Sequence, residues 1–396
     1  MVEVLVGPGP GDEPLLVRPL PPYSDLACEL LAALSAELRN DPEAARYPDV
    51  ISFAFWCRKG NVERLKADDL GRRGARLGLG LVFHITPSNV PVNFAFSFAF
   101  GLLAGNANRV RVPSKPFAQV DIICRALARV LAEDRFSELR RMSSFVRYEQ
   151  DDVVTGAYSA SCNARIIWGG DVAIQTIRKL PIPERGIEIA FADRYSFSVL
   201  GAPAINALAP EGLARLAQGF YNDTYLMDQN ACSSPHLLVW QGEGKREAKQ
   251  RFFSALAELV ALKYELAPVS AVDKYTQLCV DAIELDGVVG VTRHGNHVVR
   301  VTLARLPEAT HELRGRAGYF YELDADGLDD VARVVNTRYQ TLTYFGVDKQ
   351  QLLDFVIDHR LMGIDRIVPV GAALDIGVIW DGYDVIATLS RVIDVR

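Results

Sequence analysis

From about residue 80 onward, short apolar runs alternate with longer stretches whose apolar residues recur every three or four positions. The short runs read as strands and the periodic stretches as helices. Leu81 to Ile85 is the first strand, broken at Pro87, and a helix follows from about Val92 to Leu103. A strand at Arg109 to Val112 leads to an amphipathic helix from Phe117 to Ala132. Arg165 to Trp168 runs through Gly169-Gly170 into a helix ending near Lys179; Ser196 to Leu200 is strand-like and Pro210 to Tyr221 helical. Such alternation implies right-handed crossovers and a parallel sheet. Ligands of these sheets sit at the carboxyl ends of the strands, which singles out loops 86–91, 113–116 and 169–171.

A second alternating series starts after residue 230. Its strands are His236 to Trp240, Val298 to Leu303, Tyr319 to Leu323 and Thr341 to Tyr344. Its helices are Glu247 to Leu266, Leu328 to Asn336 and Lys349 to His359. Ahead of both series, a Pro- and Gly-rich arm through Pro22 reads as extended, and Asp25 to Leu38 as a helix. The tail from Tyr383 to Val395 reads as β-rich. The pattern predicts an α/β protein with a first domain at 1–228, a second at 229–365 and a β-rich segment at 366–396.

Composition narrows this picture only a little. A length of 396 residues favours two cores over one. A net charge of −6, spread along the chain, argues against nucleic acid as the main partner. Six cysteines at 28, 57, 124, 162, 232 and 279, with no CxxC pair, suit reduced thiols in a cytoplasmic protein rather than a disulfide framework or zinc site. No signal peptide is read at the N-terminus. The apolar stretch from Val90 to Gly105 is too short and interrupted for a membrane span, and suits a buried helix.

Two residues stand out as candidate chemistry. Cys232, in Asp-Gln-Asn-Ala-Cys-Ser-Ser-Pro, lies in a loop before a strand, with small neighbours that leave room for a planar acyl group. Asn89 follows the first strand in Thr-Pro-Ser-Asn-Val-Pro, where an amide could donate to a developing oxyanion. Taken singly, a lone cysteine reads as a small core residue and an Asn between prolines as a turn. Leu103 to Asn106 offers a loop for a dinucleotide, with Arg111 and Lys115 able to meet its oxygens. No GxGxxG fingerprint follows any strand. His236 reads as a packing residue rather than a base, and His294 with His297 as a hairpin turn; no metal is expected.

In order, these segments resemble the aldehyde dehydrogenase superfamily, and most closely its LuxC-type acyl-CoA reductase branch, from about residue 50 to the C-terminus. Pro87-Ser-Asn89-Val-Pro91 is similar to the stretch whose Asn lines the oxyanion hole, and Asp228 to Pro235 to the nucleophilic cysteine segment. Leu103 to Asn106 with Arg111 to Ser114 resembles the segment gripping the adenosine end of the cofactor. Trp168 to Asp171 falls at the pyrophosphate turn, and Gly363 to Gly371 with Trp380 to Gly382 also resembles the branch. The resemblance implies a Rossmann-type cofactor domain, a catalytic second domain and a β-rich dimerisation tail. It implies Cys232 and Asn89 as catalytic, and Thr86, Pro87, Arg111, Ser114, Lys115, Gly169 and Gly170 as cofactor-binding.

Departures from the superfamily pattern carry information. Ala190 stands where the oxidising members place their water-activating Glu, and Glu188 is out of register by two. An acyl-cysteine without such a base would survive to be reduced. Ser114 replaces the carboxylate that binds a ribose 2′-hydroxyl, with Lys115 adjacent, so NADPH is the preferred donor and NADH the alternative. The expected reaction is reduction of an acyl-CoA or acyl-carrier thioester to the aldehyde. Aldehyde oxidation and a non-catalytic acyl-holding subunit are the other readings. An acyl-activating partner enzyme, a homodimer or dimer of dimers bridged by the tail, and an acyl channel beside Phe94 to Leu103 complete the expectations.

Overall fold

The computed structural model describes residues 2–9, 11–70, 74–87 and 90–396. The chain divides into two compact units, 1–192 with 383–396, and 193–382.

The first unit is built on a six-stranded sheet. Its strands are β1 (Glu3–Val6), β3 (Leu81–Ile85), β4 (Ala107–Arg111), β5 (Ser143–Arg147), β6 (Ala164–Trp168) and β7 (Ile187–Phe191); β2 (Arg76–Gly78) lies outside it. The spatial order is β1-β5-β4-β3-β6-β7. All neighbours are parallel except β1, which pairs antiparallel with β5. Every residue of β3 is buried, as expected of a central strand covered on both faces. One cover is the helix Asn93–Leu103, buried from Phe94 to Leu103. Its rings are accounted for by packing: Phe96 meets Phe53 and Trp56 edge-on at 5.0 and 5.7 Å, and Phe98 meets Phe145 at 4.9 Å. The helix Ala118–Leu131 turns Val120, Ile123, Leu127 and Val130 inward, while its Asp121 pairs with Arg147 at 2.9 Å.

The second unit carries a seven-stranded sheet of β8 (Tyr195–Gly201), β9 (Pro235–Gln241), β10 (Val288–His294), β11 (Val298–Leu303), β12 (Tyr319–Asp324), β13 (Tyr339–Phe345) and β14 (Arg366–Pro369). The order is β10-β11-β12-β9-β8-β13-β14, with β10 the antiparallel edge strand. Tyr195, Phe197, Tyr319, Tyr321 and Tyr339 build the core on one face, and Phe220, Trp240, Phe252, Phe253 and Phe320 that on the other. Inside the second face, Glu322 accepts from Trp240 Nε1 at 2.8 Å and pairs with Arg300 at 2.9 Å, so the buried carboxylate is bonded on both oxygens.

The structure corrects several expectations. The units part at 192 and 382, not at 228 and 365, because β8 pairs with β9 and β13 and so belongs with the second sheet. The 366–396 segment is no separate element: β14 is the edge of the second sheet, whereas 383–396 returns to the first unit. That tail is less β-rich than it reads. Its strands are only Tyr383–Asp384 and Ser390–Val392, the latter paired antiparallel with β2 of the same chain, and between them Asp384 caps a short helix, Val385–Thr388. The N-terminal arm contributes β1.

Candidate active site

In the first unit, the chain runs outward from β3 to β4 and β5, then returns to place β6 on the other side of β3. That reversal is a topological switch point, where open α/β sheets bind their ligands at the carboxyl ends. The loops following β3, β4 and β6 therefore share one edge, and they hold Thr86 and Pro87, Ser114 and Lys115, and Gly169 and Gly170, with Arg111 closing β4. Thr86 is committed to the scaffold, since its hydroxyl donates to the Arg111 carbonyl at 2.7 Å. The Arg111 guanidinium lies over the Tyr148 ring at 4.6 Å and donates to the Tyr148 carbonyl at 3.3 Å. Pro87, Ser114 and Gly169 are half-buried, while Lys115 and Gly170 are exposed. Gly170 caps the helix Asp171–Arg178, so backbone N–H groups open onto this edge beside the carboxylate of Asp171.

Loop 103–106 does not join them. It precedes β4 and so lies at the amino end of the strand, opposite the ligand edge. Asn106 is wholly buried, accepting from the Gly80 N–H at 3.0 Å and donating to the Leu389 carbonyl at 2.9 Å. It ties the tail down. Asn89 lies outside the described residues.

Below the ligand edge runs a buried polar chain. Trp168 Nε1 donates to Ser97 Oγ at 3.0 Å, Ser97 Oγ meets His84 Nδ1 at 2.8 Å, and His84 Nε2 meets Asn108 Oδ1 at 3.0 Å. Burial pulls His84 down to about 4, so it is neutral. The Trp168 ring stacks on Phe191 at 3.9 Å. The network fixes the strand ends rather than offering a free base.

Glu188, on β7, is not free either. It receives Arg165 Nε at 3.0 Å and Nη2 at 2.5 Å, and Arg178 Nε at 2.6 Å. A carboxylate held by two guanidiniums is a structural ion pair.

In the second unit, Cys232 sits in the turn between the helix Pro210–Thr224 and β9, with its side chain half-buried. The turn is conformationally costly, for Asp228 and Gln229 are both left-handed, at φ 50° and 62°. Ser196 Oγ on β8 donates to the Cys232 carbonyl at 2.7 Å and accepts the Thr341 N–H at 3.1 Å. Ser234 Oγ donates to the Asp223 carbonyl at 2.7 Å. Among the described residues, no acceptor engages the Cys232 N–H. Burial pushes the Cys232 thiol up from its ordinary value; the Arg194 backbone N–H opposes this, Asp193 and Asp381 add to it, and Arg314 works against it. Arg314 in turn pairs with Asp193 at 2.7 Å.

His236 is not the base for this thiol. Its ring stacks on Tyr195 at 5.5 Å, its Nδ1–H donates to the Gly315 carbonyl at 3.1 Å, and burial pulls it down to about 3. Sequence reading overlooked Ser196 and Gln229, whose signal was a buried polar side chain within an otherwise apolar strand or beside a candidate nucleophile.

The profile of the family described as acyl-CoA reductase (LuxC) matches residues 62–392. A long-chain acyl-protein thioester reductase from Vibrio harveyi is 25% identical over 300 residues, 74% of this chain. The chain spans only 58% of that relative's length. Among solved structures, aldehyde dehydrogenase 21 from Physcomitrella patens superposes with a TM-score of 0.63 at 12% identity, over 92% of this chain and 84% of that one. A salicylaldehyde dehydrogenase from Pseudomonas putida gives 0.62 at 14% identity, over 93% and 84%. The fold is thus that of the aldehyde dehydrogenases.

Proposed function

As the chain belongs to the acyl-CoA reductase (LuxC) family, we propose that it reduces an acyl thioester, preferably a fatty acyl-CoA, to the aldehyde through a covalent acyl group on Cys232. The observation that carries this reading is the Cys232 turn: a half-buried cysteine with small neighbours, its carbonyl fixed by Ser196. The thiolate attacks the thioester carbonyl, forming a carbon–sulfur bond while the carbonyl oxygen takes up negative charge. The Cys232 N–H, without another acceptor among the described residues, is placed to donate to that oxygen. Asn89, matched by resemblance, supplies a second donor. Collapse expels the thiolate of the acyl donor and leaves acyl-Cys232.

The fit of a nicotinamide cofactor rests on the switch-point edge, where Thr86, Pro87, Arg111, Ser114, Lys115, Gly169 and Gly170 would hold it. Bound there, it would supply the hydride that reduces the acyl group. NADPH is the favoured form, because Ser114 brings no carboxylate against a 2′-phosphate and Lys115 is exposed, without an ion-pair partner among the described residues. Release of the aldehyde then returns the Cys232 thiolate. Glu188, occupied by two arginines, leaves hydrolysis of the acyl-cysteine without its usual base, which favours reduction over aldehyde oxidation.

The test is a panel of acyl-CoA and acyl-carrier-protein thioesters with NADPH consumption followed by absorbance. Cys232→Ala is expected to abolish consumption and the covalent adduct that mass spectrometry detects without NADPH. Normal turnover in that variant would sink the reading.

A further inference from the structure

We propose that Gln229 is the positioning residue of this reaction: its buried carboxamide, locked against segment 315–319, sets where the Cys232 sulfur stands. The inference rests on the acyl-thioester reading above. Gln229 touches neither sulfur nor substrate, yet it spends its side chain wholly on backbone. Nε2 donates to the carbonyls of Pro235 at 3.0 Å and Tyr319 at 3.1 Å, and Oε1 accepts the Gly318 N–H at 3.1 Å. Its own N–H donates to the Thr224 carbonyl at 2.7 Å. One residue thus joins both ends of the turn, and its side chain ties them to a distant strand.

The partner segment is itself without slack. A Cβ on Gly315 would stand 1.7 Å from the Tyr319 oxygen, and one on Gly318, at φ +89°, would stand 2.2 Å from the His297 oxygen. Lys274 Nζ donates to the Ala317 carbonyl at 2.8 Å, and Ala317 N–H donates to the Asp228 carbonyl at 3.1 Å. The left-handed pair Asp228 and Gln229 is held by these bonds together, and the carboxamide supplies three of them. Only an amide can do so. A carboxylate lacks the two donors, and an apolar side chain of equal length forfeits all three buried bonds.

The test uses the full chain with two variants. Gln229→Met keeps the length and removes the amide. Gln229→Asn keeps the amide and a residue type that tolerates left-handed backbone, but on a shorter arm. Single-turnover acylation of Cys232 by a long-chain acyl-CoA, without cofactor, is compared with alkylation of the same thiol by iodoacetamide. In both variants, acylation at saturating thioester is expected to fall about 10²-fold, as follows from a misplacement of about 1 Å. The half-saturating thioester concentration and the alkylation rate are expected to stay within about threefold, since neither depends on the angle of attack. Unchanged acylation overturns the inference alone. Acylation and alkylation falling together, or failure of both variants to fold, assigns Gln229 a purely structural role and overturns it too. If only the Met variant fails to fold, the Asn variant decides. No adduct on Cys232 in the unaltered chain overturns the acyl-thioester reading first, a result distinct from the others.

Discussion

The two loop systems carrying the candidate chemistry are held on opposite terms. The Cys232 turn is tied down by side chains bonding to backbone, from Gln229, Ser196, Ser234 and His236, and it accepts two left-handed residues to do so. The ligand edge of the first sheet has Thr86 bonded across to β4, but it leaves Ser114 and Gly169 half-buried and Lys115 and Gly170 exposed. The contrast fits the two tasks proposed for them. A nucleophile loses rate steeply with displacement, whereas a dinucleotide is gripped by many separate contacts and must leave after each turnover. Changes near Cys232 should therefore act on kcat, and changes at the sheet edge on cofactor KM.

Asn89 is where that division should fail most visibly. It follows β3 in sequence, yet its expected role is with the oxyanion and not the cofactor. Asn89→Ala is expected to lower kcat by about 10²- to 10³-fold, the usual worth of one oxyanion donor, with cofactor KM little changed. Stopped-flow acylation of Cys232 in the two forms measures it. An effect confined to cofactor KM would return Asn89 to the sheet edge.

Lys115→Glu is the matching probe of the edge. It should raise the KM for NADPH about tenfold while NADH is little affected, since one charge-assisted hydrogen bond to the 2′-phosphate is exchanged for repulsion. Equal effects on both cofactors would remove Lys115 from the phosphate and the preference for NADPH with it.

Smaller again is the effect of charge on the nucleophile. Only the thiolate attacks, and burial holds the Cys232 thiol above its ordinary value, so acylation should climb about tenfold per pH unit through neutrality until the thiol titrates. Arg314 opposes the burial. Arg314→Gln should move the alkylation pH profile of Cys232 further up and slow the neutral-pH rate by about threefold. A profile that moved down would mean that Arg314 does not stabilise the thiolate.

Much of the fold was legible because its central strands carry strong local patterns. Leu81–Ile85 and Val298–Leu303 match the apolar runs end to end, and the helix Lys349–Asp358 falls within one residue of its periodic stretch. Elements whose reason is distant were not legible. β1 forms because Glu3 finds Arg147, and the tail strand because Ser390 finds Gly78. The helix Pro268–Glu284 escaped notice partly because Val269, Val272 and Ile283 point outward and blur its inner face. The candidate site divides in the same way. Cys232 announced itself through its neighbours, but nothing local says that Arg111 lies against Tyr148 or that Gln229 reaches Gly318. Partner choice is a tertiary fact.

The last comparison concerns two acids, one engaged and one missing. The resemblance to the aldehyde dehydrogenases puts Ala190 at the position expected of the water-activating base, and Glu188 is the nearest carboxylate to it in sequence. If Glu188 only braces β7 against β6 and the helix Asp171–Arg178, Glu188→Gln should leave thioester reduction unchanged. The cost should appear in stability, at about 2 kcal/mol, below the usual penalty for breaking a buried pair. Arg165 keeps Ser159 Oγ at 3.1 Å and the Leu180 carbonyl at 2.8 Å as acceptors, so its charge is not abandoned. Denaturant melts and turnover measured on the same preparation separate the two effects. A fall in turnover with stability intact would make Glu188 a participant in the chemistry, and would reopen aldehyde oxidation as the reaction.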